Sequence, residues 1–301
     1  MPSLEAALSH GPVVLDGGLS NQLEAAGHDL SDALWTARLL RDDPSAIVDA
    51  HLSYYAAGAS IVLTASYQAS YPGFARHGIT AAETTELLQR SVSLARQAQE
   101  RYAGPERPLW IAASVGPYGA SLADGSEYRG RYGLSAAELR DFHAPRLAAL
   151  AEAGPDLFAV ETIPDVDEAE VLVALAAELD VPVWLSYTVD GLSTRAGQPL
   201  ADAFAVAAGV PQVIAAGVNC SAPGDVAAAV AVAAEVTGKP VVAYPNSGEV
   251  WDAAARRWTG QARLSADDVR SWLAAGVKLL GGCCRVGPAE IAELARACSA
   301  A

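Results

Sequence analysis

VKLLGGCC (residues 277–284) is a largely apolar run that passes through a glycine pair and stops on adjacent cysteines, and VIAAGVNC (213–220) likewise ends on a cysteine. Other short runs rich in β-branched residues follow the same plan: VVLDGG (13–18), ASIVLTAS (59–66), LWIAASVG (109–116), LFAVETI (157–163), VPVWLSYTV (181–189) and PVVAYPN (240–246). Most precede an Ala/Leu/Glu/Arg-rich segment of helical character. Eight strands alternating with helices predict an α/β fold, a (β/α)8 TIM barrel, with a doubly wound open sheet as the alternative. Continuous apolarity within the runs suits parallel strands covered on both faces.

Start signals mark the helices between them. Asp43-Pro44 opens 44–57, Thr80 opens 80–102, Ser135 with Glu138 forms a capping-box pattern before 136–153, and Ser265 with Asp268 opens 266–275. Longer loops are expected at 28–43, 117–134 and 247–263. No linker composition or charge block divides the chain, so residues 1–301 are read as one domain.

Polar residues gather at the C-terminal ends of the strands: Asp16, Thr64, Ser66 and Tyr67, Ser114, Glu161 and Thr162, Ser186 and Tyr187, Asn219 and Cys220, Tyr244 and Asn246, then Cys283 and Cys284. In a barrel those ends share one face, where active sites are built. Cys220, Cys283 and Cys284 can therefore converge, and three thiolates around Zn²⁺ leave a fourth tetrahedral position open for chemistry. Packing of the cysteines as small core hydrophobes is the plain alternative, and a strained vicinal disulfide a further one. The Gly281-Gly282 pair favours a site, because it lets backbone approach closely. Cys298, in the helical run AEIAELARACSA, reads as core. The histidines (10, 28, 51, 77 and 143) lack metal-ligand spacing and read as surface or packed side chains. Glu161, ending LFAVE, needs a partner if buried, and a cationic ligand group would supply one.

Asp and Glu number 35 against 20 Lys and Arg, a formal net charge of −15, which disfavours nucleic acid and anionic membranes as partners. The N-terminus has no basic and apolar export pattern, and Val226–Val236 is too short to span a bilayer. A reduced, cytoplasmic setting is expected.

With these motifs in view, the chain resembles the homocysteine S-methyltransferases, in particular the branch using S-methylmethionine. The matching segments run almost its full length: VLDGGLSNQLEAAGHDLSDALWTARLL, HLSYYAAGASIVLTASYQAS, SVGPYGASLADGSEYRG, ETIPD, GVNCSAP, VVAYPNSGE and GGCCR. The resemblance implies Zn²⁺ held by Cys220, Cys283 and Cys284, with the homocysteine thiolate as a further ligand. It implies that Asp16 and Glu161 face the homocysteine amino group, that backbone around Gly17, Gly18 and Ser20 receives its carboxylate, and that Asn219 belongs to the same substrate site. Trp35, Tyr67, Gln68, Tyr118 and Tyr128 are candidates for contact with the donor, S-methylmethionine or S-adenosylmethionine. Betaine-using relatives carry an aromatic residue in place of Gln68 and a longer C-terminal extension, so betaine is not the expected donor. Folate and cobalamin modules have no room, and DFHAPR (141–146) ends in Arg146 where a cobalamin motif needs glycine. Selenohomocysteine or selenocysteine as acceptor, a vicinal-dithiol redox or metal-handling barrel, and a non-catalytic amino-acid-binding barrel are the competing readings.

Overall fold

The structure is a computed structural model, and it describes residues 3–30, 34, 36–252, 257–259 and 265–299. Eight parallel strands form its centre: β1 (Val13–Val14), β2 (Ile61–Leu63), β3 (Trp110–Val115), β4 (Leu157–Ile163), β5 (Val183–Tyr187), β6 (Val213–Asn219), β7 (Val241–Tyr244) and β8 (Val277–Leu280). Their order is β1-β8-β7-β6-β5-β4-β3-β2, and a parallel bridge between Leu15 and Ile61 closes the ring. At that seam the Ser60 amide donates to Val14 O at 2.8 Å and the Asp16 amide to Ile61 O at 3.0 Å. The open doubly wound alternative is thereby excluded.

Side chains alternate between two cores, as a closed parallel sheet requires. Inside the barrel, Trp110, Trp184 and Tyr244 are accommodated by small neighbours, Ala112, Ala159 and Ala215. Val160, Leu185 and Val218 point outward into the layer between strands and helices. A short helix, Leu4–Leu8, adds Leu4 and Leu8 to the interior cluster; no periodic pattern in so short a segment announces it.

The capped helices form where their start signals lie: Pro44–Ala57 behind Asp43, Ala81–Arg101 behind Thr80, Ala136–Glu152 behind Ser135 and Ala266–Ala274 behind Ser265. The last three carry complete capping boxes, in which hydroxyl and N3 carboxylate satisfy each other's orphan amides. Of the longer loops, 28–43 contains the helix Thr36–Asp42, and 117–134 winds into 3-10 turns at Tyr118–Leu122 and Ser126–Tyr128. Within 247–263, Val250–Asp252 pairs antiparallel with Arg257–Thr259. Among the described residues, no helix is long and apolar enough to cross a membrane.

Candidate metal centre and substrate site

At the barrel mouth the strands end before Asp16, Thr64, Cys220, Cys283 and Cys284, whereas Ser114, Glu161, Ser186, Asn219 and Tyr244 are their last paired or near-last residues. There Cys220, Cys283 and Cys284 come together, with their sulfurs all within 4.8 Å of one another and Cys220 Sγ 3.8 Å from Cys284 Sγ. All three are free thiols. Cys298 is also free but lies in the helix Pro288–Ser299, buried in the outer core.

Backbone geometry aims the thiols. Cys220 leaves β6 in the left-handed region at φ 49°, its amide donating to Tyr244 O at 3.2 Å. The Cys283 amide donates to Pro245 O at 2.8 Å and the Cys284 amide to Asn246 Oδ1 at 3.1 Å. Arg285, left-handed at φ 65°, is pinned by its amide donating to Asn21 Oδ1 at 2.7 Å. This tight turn needs its glycines. A Cβ on Gly282 would lie 2.1 Å from Val286 Cγ1, and one on Gly17 would lie 2.2 Å from Val286 O. The supporting role of Asn21 was not legible in sequence, because its partner is the distant Arg285 amide.

Charge at the thiols is uneven. Hydrogen bonding from Cys220 and then Cys283 holds the Cys284 thiol well below the ordinary cysteine range, while its bonds to Cys220 and Cys284 push Cys283 well above it. Three thiolates at this spacing repel one another, so gathering all of them requires a cation. The donor set of three sulfurs fits a thiophilic divalent metal with an open position.

Glu161 enters the mouth through an irregularity in the sheet. The pairing of β4 with β5 shifts between Val160 and Ile163, and Thr162 adopts φ 58°. Such a bulge re-aims a side chain. Asn219 holds it: Oδ1 accepts from the Thr162 amide and from the Ser186 hydroxyl, each at 2.7 Å, and Nδ2 donates to Thr162 Oγ1 at 2.7 Å. Asn219 is fully buried and occupied by these bonds. The Ser114 and Tyr244 hydroxyls bond the Glu161 carboxylate, yet burial pushes its pKa up to about 7. Asp16, 2% exposed, accepts from the Leu63 amide at 2.8 Å, and burial, reinforced by the nearby Glu161 charge, raises its pKa well above the usual carboxylate range. Two buried carboxylates thus share the site, and among the described residues no protein cation contacts either.

Gly18 caps the helix Leu19–Ala25; its amide donates to Val286 O at 2.9 Å and its carbonyl accepts from the Tyr54 hydroxyl at 2.9 Å. Ser20 stands half-buried in the first turn of that helix.

The aromatic candidates separate. Tyr128 places its hydroxyl 3.1 Å from Cys220 Sγ, and the residue as a whole is 39% exposed. Tyr67 reaches Thr162 by a side-chain hydrogen bond, and its carbonyl is held by the buried Arg146 guanidinium at 2.9 Å, which also bonds Gly116 O at 2.8 Å. The arginine that ends DFHAPR is therefore a brace for this loop. Tyr118 packs edge-on against Phe142 at 4.9 Å, and Gln68 donates to Leu34 O at 2.6 Å. Trp35 lies outside the described residues. Sequence reading passed over Glu127, a buried acid beside Tyr128; the signal available was an acid next to an aromatic in the Gly- and Tyr-rich loop.

Fold and site together define a β/α barrel with a cluster of three thiols able to hold a metal ion and a pair of buried carboxylates at its C-terminal mouth. Residues 13–298 match the family model for homocysteine S-methyltransferase. The chain is 46% identical over 291 residues to the homocysteine S-methyltransferase of Escherichia coli, covering 94% of each protein. It is 44% identical over 305 residues to homocysteine S-methyltransferase 4 of Zea mays, covering 95% of this chain and 89% of that one. The metallated crystal structure of the Escherichia coli homocysteine methyltransferase MmuM superposes with a TM-score of 0.89 at 43% identity, over 97% of this chain and 99% of that one. The chain belongs to the homocysteine S-methyltransferase family.

Proposed function

We propose that this chain, acting as a single domain, transfers a methyl group from a sulfonium donor to homocysteine, forming methionine, with S-methylmethionine preferred over S-adenosylmethionine and Zn²⁺ as the metal. The observation that carries this reading is the convergence of Cys220, Cys283 and Cys284 beside two buried carboxylates that, among the described residues, have no protein cation in contact. Zn²⁺ bound by these thiolates would supply the charge that makes a substrate thiol nucleophilic at neutral pH.

The protein's own residues then position and exclude. Asp16 and Glu161 take the acceptor's ammonium group, which relieves the strain of their burial. The first-turn amides after Gly18, at Leu19 and Ser20, are the orphan donors suited to its carboxylate; the Gly18 amide is already used by Val286. Asn219 keeps the Glu161 bulge in shape. Tyr128 and Tyr67 offer ring faces and hydroxyls beside Cys220, where a sulfonium would gain about 0.5–2 kcal/mol from an aromatic face. The acceptor sulfur, as thiolate after its proton has passed to solvent, forms a bond to the methyl carbon as the bond from that carbon to the sulfonium sulfur breaks. The electron pair stays on the departing neutral thioether, so no general acid is needed. Orientation alone is worth about 7–11 kcal/mol in favourable cases.

The test is methionine formation from homocysteine with S-methylmethionine, S-adenosylmethionine, betaine and methyltetrahydrofolate at equal concentration, using chelated protein and protein reloaded with Zn²⁺. Activity is expected only after reloading and in that order of donors, with the last two near background. Full activity in metal-free protein, or preference for betaine, would overturn the reading.

A further inference from the structure

Glu127 is a third buried acid at the mouth, and its environment differs from those of Asp16 and Glu161. It is 3% exposed, and its Oε2 has no hydrogen-bond partner. Its other interaction is with its own backbone amide. The side chains that act on its charge are Cys220 and Asp124, both of the same sign when ionised. A carboxylate brought out of water for structural reasons is met by donors or a cation. Glu127 has neither.

Its placement is fixed by backbone. Glu127 sits in the 3-10 turn Ser126–Tyr128, anchored by the Ser126 amide donating to Asp124 Oδ1 at 2.9 Å and by close apposition to Gly119, where a Cβ would lie 2.5 Å from the Glu127 nitrogen. The next residue in the same turn is Tyr128, whose hydroxyl meets Cys220 Sγ at 3.1 Å. Glu127 is near enough to Cys220, Cys284 and Tyr67 for its charge to act on each of them. The turn thus brings an unpartnered carboxylate to the sulfur cluster from the loop that follows β3. Asp16 and Glu161 come from the ends of β1 and β4 and lie close enough for their charges to repel, so that one ammonium group can serve both.

We infer that Glu127 is a specificity-determining residue for the methyl donor, pairing with a positive charge that the donor carries and thereby selecting cationic donors. The inference rests on the sulfonium-donor reading above. A donor such as S-methylmethionine brings a sulfonium and an ammonium, and either suits a lone buried carboxylate. The acceptor's single ammonium is already matched by the Asp16–Glu161 pair.

The experiment uses Zn²⁺-loaded wild type, Glu127→Gln and Glu127→Asp. It reads KM for each substrate, metal content, and the Kd of S-methylmethionine by equilibrium dialysis without acceptor. Glu127→Gln keeps the shape and should raise both KM and Kd for S-methylmethionine by about tenfold or more, the worth of one charged hydrogen bond. KM for homocysteine and metal content should stay within about twofold of wild type, and Glu127→Asp should recover most of the loss. Dimethylsulfoniopropionate, a sulfonium without an ammonium, separates the two sources: a like loss places the contact at sulfur, and an unchanged KM places it at nitrogen. An unchanged Kd for S-methylmethionine in Glu127→Gln, or an equal rise in homocysteine KM with loss of metal, would overturn the inference in favour of a structural brace. Failure of wild type to form methionine from any sulfonium would instead refute the reading on which it rests, and the dialysis would still report on Glu127.

Discussion

Replacing Glu161 with Gln should move stability and activity in opposite directions. In the ligand-free folded chain the carboxyl pKa is raised by burial from 4.5 to about 7. The folded state therefore binds more protons than the unfolded one between those values, and stability falls as pH rises through that window. Complete ionisation by pH 8 opposes folding by up to roughly 3 kcal/mol, since each tenfold difference in proton affinity between the two states is worth about 1.36 kcal/mol. Glu161→Gln removes this charge while the Ser114 and Tyr244 hydroxyls can turn to serve the amide. Thermal denaturation without substrate, at matched metal content, should show the wild-type Tm dropping from pH 5 to 8 more than that of the variant, with the variant the more stable at pH 8. Homocysteine use should fall, because the variant loses a charged hydrogen bond worth about 1.5–3 kcal/mol, a decrease in kcat/KM of roughly ten- to hundredfold. The wild-type rise in kcat/KM for homocysteine near pH 7 should flatten as well. 4-Mercaptobutyrate, which has the thiol and carboxylate but no ammonium, provides the control. If its use falls as much as that of homocysteine, or if the variant is less stable at pH 8, Glu161 is not a buried charge awaiting an ammonium group.

Cys283→Ala should lose its metal and its methyl transfer while keeping the wild-type circular dichroism spectrum, since the sulfur lies at the mouth and the strand ends at Leu280; retained turnover would refute the metal assignment. Cys298→Ser should leave metal content and turnover unchanged and destabilise the chain by about 1–3 kcal/mol, the penalty for placing a hydroxyl in the outer core; metal analysis and a denaturation curve check both. Asn246→Ala removes the acceptor for the Cys284 amide, so competition with a chelator should reveal metal affinity weakened by roughly 10–100-fold, and an unchanged affinity would show that the turn holds without it.

The strand runs, the caps at Asp43, Thr80, Ser135 and Ser265, and the gathering of polar residues at strand ends were legible in the sequence because each is a local pattern: apolar run length, capping chemistry, one residue type at one end. Those patterns determine the barrel, and in a barrel they oblige Cys220 to meet Cys283 and Cys284. What the sequence could not convey is which polar residues remain available once the chain has closed. Asn219 is consumed by holding Thr162, Gln68 by Leu34 O and the Gly18 amide by Val286, because each finds a partner distant in sequence. Arg146 fails a motif by one residue yet braces the Tyr67 loop, and Asn21 gains its role only when Arg285 arrives beside it. Glu127 looks like a solvent-facing loop acid until the turn buries it within electrostatic reach of Cys220. Composition and periodicity specify which elements form. Hydrogen-bond satisfaction and desolvation, which depend on neighbours across the barrel mouth, decide which side chains are left for chemistry.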